Sequence, residues 1–206
     1  MFLAERVPAD FSGPYAVPDP GLFFPNNLPN RPAVTPVGTW TLSVDSSLPL
    51  AFPNSYITTH SSNVVLNTGT DFNHGFDSLE LQLTNTIVAD GTLSFDYVLD
   101  LLATGPAAVW NFGGYIVNGV VTNLPAGTGS VTLPVSAGDI IGFDVYGSVT
   151  CIQCLPGNSA GSATLTITNF IAPVPEPTTT ALFVSSAVLA LVRARARRRV
   201  ASLKRS

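Results

Sequence analysis

Leu79-Glu80-Leu81-Gln82-Leu83 and, after the turn signal Ala89-Asp90-Gly91, Thr92-Leu93-Ser94-Phe95-Asp96-Tyr97-Val98 decide the fold. Both stretches alternate apolar and polar residues with a period of two. In a strand, successive side chains point to opposite faces of the sheet, so this period describes strands with one face in a core. Leu79, Leu81 and Leu83 share one face, and Glu80 and Gln82 share the other, solvated one. Leu93, Phe95 and Tyr97 line up in the same way. A helix would need apolar residues at a spacing of three and four, and nothing between residues 37 and 173 sustains that pattern.

The same alternation extends outward in both directions. Thr39 to Val44 places Trp40, Leu42 and Val44 on one face. Trp110 to Val117, Ser130 to Val135, Ile140 to Tyr146 and Ala163 to Phe170 complete the set. Turn chemistry separates them at Asn118-Gly119, Ala126-Gly127 and Ala137-Gly138-Asp139. Asn-Gly between two strands is a strong hairpin signal, because both residues accept positive φ. Seven to nine short strands with regular turns predict an all-β fold, an antiparallel β-sandwich of jelly-roll-like character, over residues 37–173. Trp40, Phe95, Phe143 and Phe170 occupy inward positions and are expected in the core. Residues 8–36 carry eight prolines, from Pro8 to Pro36, so residues 1–36 are expected to form an irregular Pro-rich arm or cap, not a helix.

Composition narrows the function. Charged residues make up 11% of the 206, less than half the usual share of about 25%. Residues 1–173 contain Arg6 and Arg31 against twelve carboxylates, a balance near −10. From Val174 onward seven basic residues face Glu176 alone, a balance near +6. A body so poor in Lys and Arg lacks what a nucleic acid needs, since binding requires cations that displace counterions from phosphates. The opposite sign of the tail points to a membrane instead.

The tail, residues 174–206, has three parts in order. Val174-Pro175-Glu176-Pro177 is extended, because two prolines cannot lie inside a helix. Residues 178–192 form a hydrophobic stretch of about 22 Å if helical. That is short for a hydrocarbon core of about 30 Å. Arg193, Arg195, Arg197, Arg198 and Arg199 then supply cations that can snorkel to headgroups and remain on the cytoplasmic side. This order of motif, apolar helix and arginine-rich end resembles the PEP-CTERM sorting signal of exported bacterial proteins. The resemblance implies recognition by an exosortase, a membrane-embedded, cysteine transpeptidase-like enzyme. It also implies cleavage near the motif, with the body ending at the cell surface or in an extracellular matrix. Residues 90–173 also resemble the β-sandwich domain often joined to this tail. The matching stretches run from Gly91 to Tyr97, Gly114 to Gly119, Val135 to Phe143 and Ala163 to Phe170. An exported protein should begin with a charged segment and an apolar run, which Met1 to Arg6 does not supply. The expectation is a signal peptide encoded upstream of this start.

Several patterns in the body invite chemistry. Gly157-Asn158-Ser159-Ala160-Gly161 matches the Gly-x-Ser-x-Gly of hydrolase elbows, but no helix pattern follows and no histidine lies beyond His74. It reads as a loop, and His60 could serve only another fold. Cys151-Ile152-Gln153-Cys154 has neither the four ligands of a zinc site nor the helix start of a redox motif. Outside the cytoplasm a local Cys151–Cys154 disulfide is expected, with free thiols as the alternative. Asp71, Asn73 and Asp77 begin like a calcium loop, yet Phe76 and Gln82 stand where that loop needs Gly and Glu. A solvated turn is the default there. Trp110, Tyr115 and Tyr146 are candidates for stacking on sugar rings. The residues therefore predict no catalytic group, no metal and no cofactor. The role they suggest is structural or adhesive, with a carbohydrate-binding module for exopolysaccharide as the alternative.

Overall fold

The computed structural model describes residues 10–24, 33–46, 54–69, 76–104, 108–150 and 160–175. Among these residues the fold is all-β. After a 3-10 turn at Gly13–Tyr15 come β1 (Gly21–Phe23), β2 (Ala33–Val37), β3 (Trp40–Ser46), β4 (Tyr56–His60) and β5 (Asn63–Asn67). They are followed by β6 (Phe76–Thr86), β7 (Gly91–Thr104), β8 (Ala108–Val117), β9 (Val120–Asn123), β10 (Gly127–Val135), β11 (Ile140–Thr150) and β12 (Ala160–Ile171). Two six-stranded sheets pack together, in the orders β1-β4-β5-β12-β7-β10 and β2-β3-β6-β11-β8-β9. Every pairing is antiparallel. The chain divides into two units, Met1–Val174 and Pro175–Ser206, and these strands all belong to the first. The expected C-terminal helix falls outside the described residues.

The alternation seen in the sequence becomes the two faces of each sheet. Leu79, Leu81 and Leu83 of β6, Leu93, Phe95 and Leu99 of β7, and Ile141, Phe143 and Val145 of β11 are all buried between the sheets. The centre of that layer is aromatic. Trp40 stacks on Phe143 with centroids 5.8 Å apart, and Phe95 meets Phe143 edge-on at 5.1 Å. Offset and edge-on geometries suit the ring quadrupoles, so these pairs add to the burial of apolar area. Phe170 reaches the core through a break in alternation. The β12 register shifts between Thr168 and Ile171. Asn169 takes φ 49° there, a left-handed conformation that Asn tolerates. The extra residue turns Phe170 inward onto Phe11, stacked at 4.7 Å.

The described part of the Pro-rich segment packs against the sandwich. Phe11, Tyr15 and Val17 are buried in the same core as Trp40 and Phe143. The Trp40 Nε1–H donates to the Tyr15 carbonyl at 2.9 Å, and β1 and β2 each add an edge strand. Pro36 pairs with Thr41 in β2, at the sheet edge, where the missing N–H faces no neighbour.

Candidate functional site

The chain leaves its last strand next to the Pro-Glu-Pro motif. β12 ends at Ile171, and Ala172 is still buried. Pro173 is held from two sides. The Tyr15 hydroxyl donates to its carbonyl at 2.9 Å. Its ring fills the space beside Gly91, where an added Cβ would meet it at 2.8 Å. Val174, the first motif residue, is 45% exposed, and Pro175 is exposed. Glu176, Pro177, residues 178–192 and the arginines from Arg193 to Arg199 lie outside the described residues. So do Cys151, Cys154, Ser159, His74, Asp71 and Asn73. Among the described residues no helix is long and apolar enough to cross a membrane.

The aromatic candidates separate by face. Tyr115 pairs with Phe143 across β8 and β11 and meets Phe95 edge-on at 6.0 Å, so it points into the core. Its ring is partly buried. Tyr146 is on the opposite side of β11, and its ring stacks on Phe112 at 4.9 Å with 14° between the planes. Trp110 occupies the same outer face of β8, two residues before Phe112, and is 68% exposed. The outer strip is therefore Trp110, Phe112 and Tyr146. Phe112 was legible: its position between Trp110 and Gly114 has the parity of an outward residue, opposite to Tyr115.

Beside this strip is a carboxyl pair that the sequence did not reveal. Asp144 faces outward between Phe143 and Val145, and it is fully buried nonetheless. Its cross-strand partners are Gly114 on β8 and Gln82 on β6. Gly142, two positions earlier on the same face, also lacks a side chain, and the space at Gly114 and Gly142 is taken up by Val121 and Thr122 of β9 and by Leu83 and Thr84 of β6. Neither carboxylate oxygen has a hydrogen-bond partner. Gln82, its cross-strand partner on β6, donates its Nε2–H to Glu80 Oε1 at 2.9 Å. Burial first, and then the negative charge of Glu80, push the Asp144 carboxyl up to about 7, with the nearby Gln82 amide pulling weakly the other way. Among the described residues no three His, Cys, Asp or Glu side chains stand close enough together to hold a metal ion.

The opposite outer face, on the β1-β4-β5-β12-β7-β10 sheet, is hydroxyl- and amide-rich. Thr164, Thr166 and Thr168 of β12 alternate with buried Leu165 and Ile167. Asp96 accepts hydrogen bonds from the Ser130 hydroxyl and, at 2.6 Å, from the Asn169 amide, and these hold its carboxyl below the usual range. Asp19 clasps the turn between β4 and β5, accepting from Ser61 N–H at 2.9 Å with His60 Nδ1 at 3.2 Å. Hydrogen bonds from Ser61, more than His60, lower that carboxyl to about 2.

No protein-family model matches this chain, and the curated proteins contain no match to it.

Proposed function

We propose that this chain is an exported bacterial surface or matrix protein of structural or adhesive role, sorted by an exosortase through its C-terminal tail. The observation that carries this reading is the ordered pattern of residues 174–199: Val174-Pro175-Glu176-Pro177, the apolar stretch 178–192, and five arginines within seven positions. The body supports it in two ways. Among the described residues its last tether, at Pro173, directly precedes the motif, so cutting beyond it would leave the strands whole. An extended proline-flanked backbone also presents its amides to a protease, whereas a helix would hide them. In this reading the arginines stay on the cytoplasmic side, residues 178–192 hold the protein in the membrane before processing, and the body stands outside. The strand order fits a jelly-roll-like path. β5-β12-β7-β10 and β6-β11-β8-β9 are runs of four strands within the two sheets, and the chain crosses between them at every connection from β5 to β12 except the β8–β9 hairpin. Intact-mass measurement of protein from its native host tests the proposal. The wild type should lose the tail, and Pro175→Ala or Glu176→Ala should retain it on a folded body. Native protein recovered in the cytosol with Ser206 still attached would overturn the reading.

A second reading is favoured by one observation, the outward strip of Trp110, Phe112 and Tyr146. Exposed Trp110 beside the stacked Phe112–Tyr146 pair offers aromatic surface to the apolar faces of sugar rings. With Glu80 and Asp144 beside it, the strip suits a neutral glycan better than an acidic one. Exopolysaccharide pulldown should be lost on Trp110→Ala. Tyr115→Ala should lower stability, since that ring belongs to the core. Equal retention of wild type and Trp110→Ala would count against the module.

A further inference from the structure

Among the described residues Asp144 is the only fully buried carboxyl group, and nothing positive faces it. The charged or titratable groups on its face are Glu80 from β6, Asp45 from β3 opposite Glu80, and Tyr146 two residues along β11. β8 contributes Gly114 and the aromatic strip, with no charge, and β9 contributes Val121 and Asn123 at the same register. A buried carboxylate without a partner costs several kcal/mol, so the group must be neutralised. A divalent cation of the calcium type needs about six to eight oxygens. Among the described residues no three His, Cys, Asp or Glu side chains stand close enough together to hold one. A proton needs only two oxygens. Two ionised carboxylates have no hydrogen between them, and one proton supplies the missing donor.

We propose that Asp144 and Glu80 hold a single proton between them, Asp144 donating to Glu80, and that this proton latches the outer aromatic strip. While the proton is held, Asp144 stays buried and Tyr146 stays stacked on Phe112. When the proton passes to water, the charge left on Asp144 must be hydrated. Tyr146, its neighbour on the same face, is displaced to admit that water. The strip is thus ordered in mildly acidic surroundings and loosened in alkaline ones. The raised titration of Asp144 agrees with this direction. The inference rests on the sheet alone and does not require that the strip bind sugar.

Carbon-13 NMR of the Asp144 carboxyl in the full-length chain tests it, followed together with near-ultraviolet circular dichroism of the aromatic residues. The carboxyl should titrate near pH 7, and the aromatic signal should change with the same midpoint. Asp144→Asn, which keeps a donor toward Glu80, should abolish that change between pH 5 and 8. Glu80→Gln removes the like charge and should move the Asp144 midpoint toward acid. An Asp144 midpoint near 4, an aromatic signal flat from pH 5 to 8, or an unmoved midpoint in Glu80→Gln would each overturn the proposal. So would stabilisation by calcium chloride that depends on Asp144, because the pair would then be a cation site. Should Asp144→Asn fail to fold, the wild-type and Glu80→Gln titrations decide alone.

Discussion

At the scale of single residues, burial decides what a side chain can do, and two positions show it. Tyr15 is wholly enclosed; its hydroxyl donates to the Pro173 carbonyl and accepts from Val88 N–H at 3.2 Å. Tyr15→Phe keeps the ring but leaves both backbone groups without a partner, which should cost about 1–3 kcal/mol. Urea denaturation checks this as a lower midpoint at unchanged slope. Asp144 sets the pH response. Its folded form binds a proton more tightly than the unfolded chain, so its contribution is fully present below the ordinary carboxylate range and is lost as pH rises through about 7. Asp19, Asp96 and Asp139 are shifted the other way by hydrogen bonds, so their contributions are lost as pH falls below that range. Thermal unfolding should therefore peak at roughly pH 4 to 6. Asp144→Asn should flatten the limb between the peak and pH 7. A wild-type maximum above pH 7 would contradict the assignment.

At the scale of elements, turns that carry their own chemistry were legible and turns held from a distance were not. Asn118 and Gly119 take φ 50° and 80°, the two positive values that a type I′ hairpin requires, and they join β8 to β9 as the Asn-Gly pair foretold. An added Cβ at Gly119 meets nothing within 4 Å. Gly119→Val should thus cost only backbone strain, about 1–2 kcal/mol, seen as faster amide exchange in β9. The β4–β5 hairpin has no such signature at Ser61 and Ser62. Its turn is stabilised by Asp19, more than forty positions earlier. β1 and β2 escaped notice for a related reason. Prolines argue against strands in general but not against edge strands, and only the assembled sheet says which strands are edges.

At the scale of the whole molecule, the core closes through the chain's two ends of described sequence. Phe11 stacks on Phe170, and Tyr15 is tied to Pro173, so residues before β1 and after β12 seal the same end of the sandwich. That closure bears on the sorting proposal. A cut beyond Pro173 would spare every contact of the body described here, so the processed form should unfold at the same temperature as the unprocessed one. Calorimetry of Pro175→Ala beside processed wild type measures this. A drop of several degrees on processing would show that the tail contributes to the fold.

Period-two alternation and turn chemistry are local properties, and so the sequence by itself determined the strands from β3 onward that carry clean alternation, the inward aromatics Trp40, Phe95 and Phe143, and the charge contrast between body and tail. Which sheet each strand joins, and which residues meet across strands, depends on pairings between positions far apart in the chain. Only the tertiary structure could turn Tyr115 inward beside Phe95, gather Trp110, Phe112 and Tyr146 into one strip, and bury Asp144 on an outer face. Alternation assigns Asp144 to the outer side correctly; its burial there comes from neighbouring strands that only the assembled sheet brings beside it.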